Sequence, residues 1–284
     1  MEISITKLKS LSSTALKKLV ETEPAVVTSR SKPVVEVHKL SSTPTPPPDP
    51  DPGPGPNPPP PPPSGTKPSE MFGRNWTIMA PFNKPGATNS PENLYLSKAE
   101  ADSRYAAVLY AKNGGWAFKT RADGVHSANS KYPRTELREM KDENWEEAAW
   151  SNKSGTHTLT GRYSVFMSLI KRPQVVLAQI HDDSDDVMQV AYDDGKLVAF
   201  YDDKAKVITL EPNYQGGTFD IQIMASNSEI RVYYNGAMKG VIPKSGDGWY
   251  FKAGTYLQSN VADWSEAPDA YGEVTIYSLK VSHS

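Results

Sequence analysis

The sequence predicts an all-β domain, a two-sheet sandwich or barrel, carried behind a proline-rich arm. All 6 Trp, 14 Tyr and 7 Phe lie at or after Phe72. The side chains that can offset the entropy of ordering are therefore confined to residues 69–284. In that stretch, β-rich runs recur at short intervals between turn signals. It also lacks the crossover helices of a doubly wound α/β fold and any fixed-period repeat of a propeller or solenoid.

Residues 1–43 form an arm without a single aromatic. Ile5, Leu8, Leu11, Leu16, Leu19 and Val20 fall near helical spacing, ended by Pro24. This is either a short helix that docks a partner or a marginal helix on a disordered arm. Lys7, Lys9, Lys17 and Lys18 interrupt any apolar run of the kind a secretory signal needs. Residues 44–68 are a linker, in which positions 44–63 hold 14 prolines. Such a tract is an extended, semi-rigid polyproline II spacer.

In the domain, Val187–Tyr192 and Lys196–Tyr201 flank Asp193-Asp194-Gly195, and Glu229–Tyr234 runs into Asn235-Gly236; both are hairpin signals. Arg162–Ile170, Gln174–His181, Val207–Leu210, Thr218–Ala225, Tyr250–Gln258 and Glu273–Val281 are further predicted strands. Ser97–Tyr105 and Glu143–Trp150 are the two segments predicted helical. Some 216 residues suffice for a proper core.

Composition removes several functions. The absence of cysteine excludes a disulfide scaffold, a thiolate metal site and a cysteine nucleophile. No run is long and apolar enough for a membrane-spanning helix. The domain carries 23 basic against 27 acidic residues, which argues against a nucleic-acid binder. Any attraction for an acidic ligand must be local. The acidic run Asp182 to Asp186 does not have EF-hand spacing and reads as a solvated hairpin loop, with calcium as the alternative.

Alternation along three strands gives that local attraction a place. One face of the first carries Arg134, Glu136 and Arg138, with Thr135 and Leu137 opposite. In the second, Val175, Leu177, Gln179 and His181 share a face, with Val176, Ala178 and Ile180 opposite. In the third, Tyr250, Lys252, Gly254, Tyr256 and Gln258 oppose Phe251, Ala253, Thr255 and Leu257. Singly, each is compatible with a solvated strand; together they offer cations, an amide, an imidazole and a phenol.

Tyr-Pro-Arg-Thr-Glu-Leu-Arg-Glu (132–139), Gln-Ile-His (179–181) and Tyr-Phe-Lys-Ala-Gly-Thr-Tyr-Leu-Gln (250–258) resemble the three signature segments of the alginate lyases of polysaccharide lyase family 7. The likeness covers about residues 72–282. Leu257 departs from it, because the family usually has Asn there; by parity its side chain points into the core. The resemblance implies a β-jelly roll (concanavalin A-like) whose concave sheet forms a groove for a polyuronate. It implies an endo-acting lyase that cleaves the 1,4 bond by β-elimination, without metal or cofactor.

Arg134 and Gln179 would neutralise the carboxylate next to the acidic C5 proton. His181 would be the base for one uronate epimer, and Tyr256 the proton donor to the leaving oxygen and a base as well. Arg138 and Lys252 would be the cations near Tyr256, Glu136 would hold the arginines, and Gln258 would line the groove. Ile180 is the family's mark of guluronate-containing blocks, acting indirectly from the core.

The expected partner is alginate, met outside the cell by a monomeric catalytic domain that is secreted by another route or carried on a virion. A non-catalytic acidic-polysaccharide-binding module and a lyase for another polyuronate such as polyglucuronate remain the alternatives.

Overall fold

The computed structural model describes residues 66–284 and, nearer the N-terminus, the backbone of three short strands. These are β1 (Glu2–Ser4), β2 (Ala25–Ser29) and β3 (Lys32–Val37), which pair in that order. They belong to a first unit, Met1–Asn57, and the domain to a second, Pro58–Ser284. The predicted helix over 5–20 and the polyproline spacer lie outside the described residues.

Two antiparallel sheets make the domain. One has eight strands, and β8 (Arg134–Glu139), β17 (Tyr250–Leu257) and β10 (Gln174–His181) are adjacent near its middle. Beyond β10 follow β11 (Asp186–Asp193), β12 (Lys196–Tyr201) and β13 (Lys206–Glu211) at the edge. Beyond β8 lie β4 (Trp76–Asn83) and β5 (Pro91–Tyr95). The seven-stranded sheet is centred on β9 (Thr156–Met167) and β18 (Tyr271–His283). On one side of this pair are β14 (Phe219–Ser226), β15 (Glu229–Tyr234) and β16 (Ala237–Ile242); on the other are β6 (Leu109–Lys112) and β7 (Gly115–Arg121). The two-sheet jelly roll predicted from the sequence is thus the observed fold.

Alternation explains the core between the sheets. Ile78, Leu137, Ile180, Phe251 and Leu257 come from one sheet, and Phe118, Leu159, Ile223 and Val274 from the other; all are fully buried. Each such side chain contributes about 1.5–3 kcal/mol over leaving it in water. The hairpin turns follow their sequence: Asp194-Gly195 and Asn235-Gly236 have positive φ at both positions, as a tight type I′ turn demands.

Two sequence expectations need correction. Glu143–Trp150 is not helical: Met140 bridges Glu147, Trp150 bridges Trp249, and Trp145 sits at φ 68°. Its helix-forming Glu and Ala are overridden because Trp150 is drawn into the core against Phe251 and His157. Ser97–Tyr105 is two short pieces, an α-turn at Leu96–Ala99 and a 3₁₀ turn at Ser103–Ala107 that Asp102 caps.

Candidate active site

The three signature segments form one continuous surface, because β8, β17 and β10 are neighbours. Lys252 lies opposite Arg138 on one side and Gln179 on the other; Tyr256 lies opposite Arg134 and Val176; His181 lies opposite Tyr250. Only glycine fits between Glu136 and this row. Gly254 has φ +143°, and a Cβ there would sit 2.5 Å from the Thr135 carbonyl oxygen and 2.9 Å from Glu136 Cα.

Parity holds on β8 and β17, but a bulge between Val176 and Ala178 breaks it on β10. Val175 and Leu177 therefore join the core, and Val176 instead packs beside Tyr256 with Ala191 and Val198. An extra residue shifts the facing of everything on one side of it, so the sequence assignment is right for Gln179 and wrong for Val175 and Leu177.

Glu136, 1% exposed, is the hub. Its carboxylate pairs with Lys252 Nζ at 2.7 Å and Arg134 Nη1 at 3.3 Å, and accepts from Gln179 Nε2 at 2.6 Å. Gln179 Oε1 in turn accepts from Gln189 Nε2 at 3.3 Å. Burial alone would raise the Glu136 carboxyl; Lys252 and Arg134 more than offset it and hold the group below the usual carboxylate range. Lys252 is brought down to about 8, first by burial and then by the neighbouring arginines, despite Glu136 beside it. Neighbouring positive charge lowers both groups, whereas burial opposes the shift of Glu136 and leads that of Lys252. Arg134 Nε is buried without a hydrogen-bond partner, an unsatisfied donor in the floor of the site.

His181 and Tyr256 flank this hub. His181 Nδ1 bonds the Asp182 carbonyl and lies 3.1 Å from the Tyr250 hydroxyl. A carbonyl only accepts, so the proton sits on Nδ1 and the neutral ring keeps its lone pair on Nε2. Burial, then Lys252, push the His181 imidazole below its ordinary value, favouring that neutral form. The Tyr256 hydroxyl lies 3.0 Å from Ser130 Oγ, and the Arg134 guanidinium lies 3.6 Å from the ring centroid.

The remaining predicted residues are placed differently from one another. Arg138 does not reach Glu136: it pairs with Glu147 at 3.0 Å and lies over the Tyr250 ring at 4.0 Å. The cation in contact with Tyr256 is thus Arg134. Glu136 holds one arginine and Lys252 instead of both arginines. Gln258 is buried and accepts from Lys204 Nζ at 2.6 Å. Ile180 and Leu257 are fully buried in the core.

Sequence reasoning placed Tyr250 on the groove face without giving it a role, and left out Ser130 and Gln189. Parity with Lys252 put Tyr250 on that face, whereas Ser130 sits in a loop that carries no periodic signal. The acidic loop satisfies itself: Asp182 Oδ1 accepts from Ser184 N, Ser184 Oγ and Asp185 N. Among the described residues no cluster of His, Asp and Glu is arranged for a metal ion, and no helix is long and apolar enough to cross a membrane.

The comparisons agree with this geometry. The alginate lyase family model matches residues 71–283. The alginate lyase AlgAT5 of polysaccharide lyase family 7 is 34% identical, with a TM-score of 0.71 over 77% of this chain and 99% of its own. An alginate lyase from Corynebacterium sp. is 31% identical, with a TM-score of 0.70 over 77% of this chain and 98% of its own. The family 7 alginate lyase A1-II′, solved with a substrate, shares the fold at 23% identity and a TM-score of 0.62, over 74% of this chain and 93% of its own. Among curated proteins none matches. With a family model spanning nearly the whole domain and the three motifs gathered on adjacent strands, the chain belongs to the alginate lyases of polysaccharide lyase family 7 and is a polysaccharide lyase.

Proposed function

We propose that the protein cuts 1,4-linked alginate internally by β-elimination, favours guluronate-containing blocks, and meets its polymer outside the cell. The observation that carries this reading is the registered row of β8, β17 and β10. It gathers Arg134, Gln179, His181 and Tyr256 about a floor in which cations outnumber the single carboxylate of Glu136.

In the proposed step, Arg134 and the second N–H of Gln179 hold the uronate carboxylate and disperse its charge as C5 becomes acidic. His181 Nε2, or the Tyr256 oxygen for the other epimer, removes the C5 proton. The C5–H electrons form the C4–C5 double bond while the C4–O bond breaks. Tyr256 gives its proton to the departing oxygen. The Arg134 guanidinium lies against the Tyr256 ring and fixes the position of the phenol beside the carboxylate site. The polar row along β17 from Tyr250 to Gln258 spans roughly 26 Å at about 3.3 Å per residue. That is room for several uronates, which favours internal attack.

Guluronate-rich, mannuronate-rich and mixed alginates, with polyglucuronate beside them, would be followed by the ultraviolet absorbance of the unsaturated product. Wild type is expected to act fastest on guluronate-rich polymer and to lower viscosity before short products accumulate. Tyr256→Phe is expected to lose about 10²–10⁴-fold in rate with an unchanged melting temperature. Turnover of polyglucuronate alone would replace alginate as the substrate, and full activity in Tyr256→Phe would remove that residue from the reaction.

A further inference from the structure

The edge hairpin of the eight-stranded sheet turns at 202–205, between β12 and β13, where Asp202, Asp203 and Lys204 have φ of 52°, 52° and 63°. Three consecutive non-glycine residues in the left-handed region are strained. The turn is held by an Asp202–Lys206 ion pair at 2.7 Å and by Ala205 N donating to Asp202 O. From it Lys204 reaches Gln258, which follows β17, three strands away in the sheet. In a flat sheet the two would be roughly 14 Å apart across the strands and offset along them by the length of β17 as well, so the sheet curls and the hairpin strap crosses the groove.

Lys204 meets a second cation there. Arg172 donates to the Tyr132 hydroxyl at 3.1 Å and to Gln174 Oε1 at 2.9 Å, and its guanidinium lies 4.7 Å from the Trp264 ring centroid. Gln174 O accepts from Gln258 N, which joins the two patches. Several other partly buried cations of this domain have carboxylate partners: Lys252 has Glu136, Arg138 has Glu147, and Arg162 has Asp220. Among the described residues, Lys204 and Arg172 bond only neutral groups.

Burial lowers the affinity of Lys204 for its proton and Arg172 lowers it further, with Asp186 acting against them through space. Asp203 and Asp185 act on Lys204 in the same sense as Asp186, yet no carboxylate among the described residues lies at hydrogen-bond distance from the Lys204 ammonium or the Arg172 guanidinium, so an anion placed between them would gain direct partners. The patch continues from the reaction site, because Tyr132 is two residues before Arg134 and its amide bonds Ser130, the partner of Tyr256.

We propose that Lys204 and Arg172 form an outlying subsite that grips the carboxylate of a uronate beyond the one being cleaved, with the strap closing over the polymer and Trp264 offering a face to the sugar ring. This rests on the lyase reading above and adds two cations that none of the three signature segments contains. The strap sets how firmly a long chain is held and leaves the proton transfers to His181 and Tyr256.

The test compares wild type, Lys204→Met, Lys204→Arg and Lys239→Met on alginate and on guluronate oligomers of increasing length. Lys239 is exposed on the other sheet, so its variant controls for the loss of one positive charge. Lys204→Met is expected to raise KM for polymer and long oligomers by about five- to ten-fold. The effect should shrink as the oligomer becomes too short to reach the strap. Lys204→Arg should restore most of the loss, and Lys239→Met should match wild type. Melting temperatures verify that the variants are folded.

An unchanged KM at every length would overturn the subsite, as would a loss equal at all lengths and confined to kcat. A wild type that releases no unsaturated uronate would instead overturn the lyase reading, and the subsite with it.

Discussion

Glu136 and Glu139 sit three residues apart on one strand, and each is 1% exposed. Strand parity turns them to opposite faces, and their surroundings differ in kind. Glu139 accepts from Trp150 Nε1 at 3.1 Å and from Phe251 N at 2.9 Å, and meets His283 Nε2 at 2.6 Å. Behind it, His283 Nδ1 lies 2.8 Å from His157 Nδ1, whose Nε2 faces the carbonyls of Ser151 and Ser154. This is a tie between the sheets, with its donors used up internally. Glu136 is instead outnumbered by cations, one of which keeps an unpartnered N–H. A buried carboxylate reads as structural when its partners close the account of donors, and as part of a site when they leave a surplus of one charge facing a groove.

The contrast is sharpest in a paired substitution. Glu136→Gln keeps the shape but leaves Lys252 and Arg134 without their counter-ion, so Arg134 loses its position. A displacement on the order of 1 Å can cost roughly 10²-fold in rate. We expect kcat/KM to fall by about that factor. Glu139→Gln should behave in the opposite way: activity measured well below the melting temperature persists, while stability drops by about 1–3 kcal/mol as charge-assisted bonds to Trp150 and Phe251 weaken. Rates and urea unfolding on the same two proteins decide it. Loss of activity in Glu139→Gln without loss of stability would erase the distinction.

The pH profile gives a smaller effect of the same origin. His181 acts as a base only when neutral, and burial with Lys252 lowers it below its ordinary value of 6.5. The acid limb of kcat/KM is therefore expected below that value. The alkaline limb should appear as Lys252 loses its charge near pH 8. Glu136 is the partner that raises Lys252, so Glu136→Gln should draw the alkaline limb to lower pH. Stability carries the matching sign. Glu136 is held below the usual carboxylate range, so its contribution is present above its ordinary value of 4.5 and lost as pH falls through the depressed one.

Sequence alternation was enough to find the groove face of β8 and β17, because both strands keep an unbroken period of two. It failed over Val175–Leu177, where a single bulge moves Val176 to the groove, and no residue in that run announces a bulge. It also failed for Glu143–Trp150, whose local preference yields to the burial of Trp150. Lys204 was invisible for a different reason. Its partner Gln258 lies 54 residues away, and only the curl of a whole sheet brings an edge hairpin to that point. Motifs gathered on neighbouring strands are legible, whereas contacts made by curvature are not.

Ser130→Ala should give the smallest effect, and it tests the groove side of the contrast at its edge. Ser130 Oγ lies 3.0 Å from the Tyr256 hydroxyl and also bonds the Tyr132 amide, so it fixes where the phenol points. Neither partner is charged, and the site is partly open to water. The bond is thus worth on the order of 1 kcal/mol, about a five-fold change. If its role is to aim the proton of Tyr256, the loss falls on kcat and leaves KM in place, because ground-state binding rests on the cations. A rise in KM with constant kcat would mean that Ser130 touches the polymer directly and that the groove floor extends into the loop before β8.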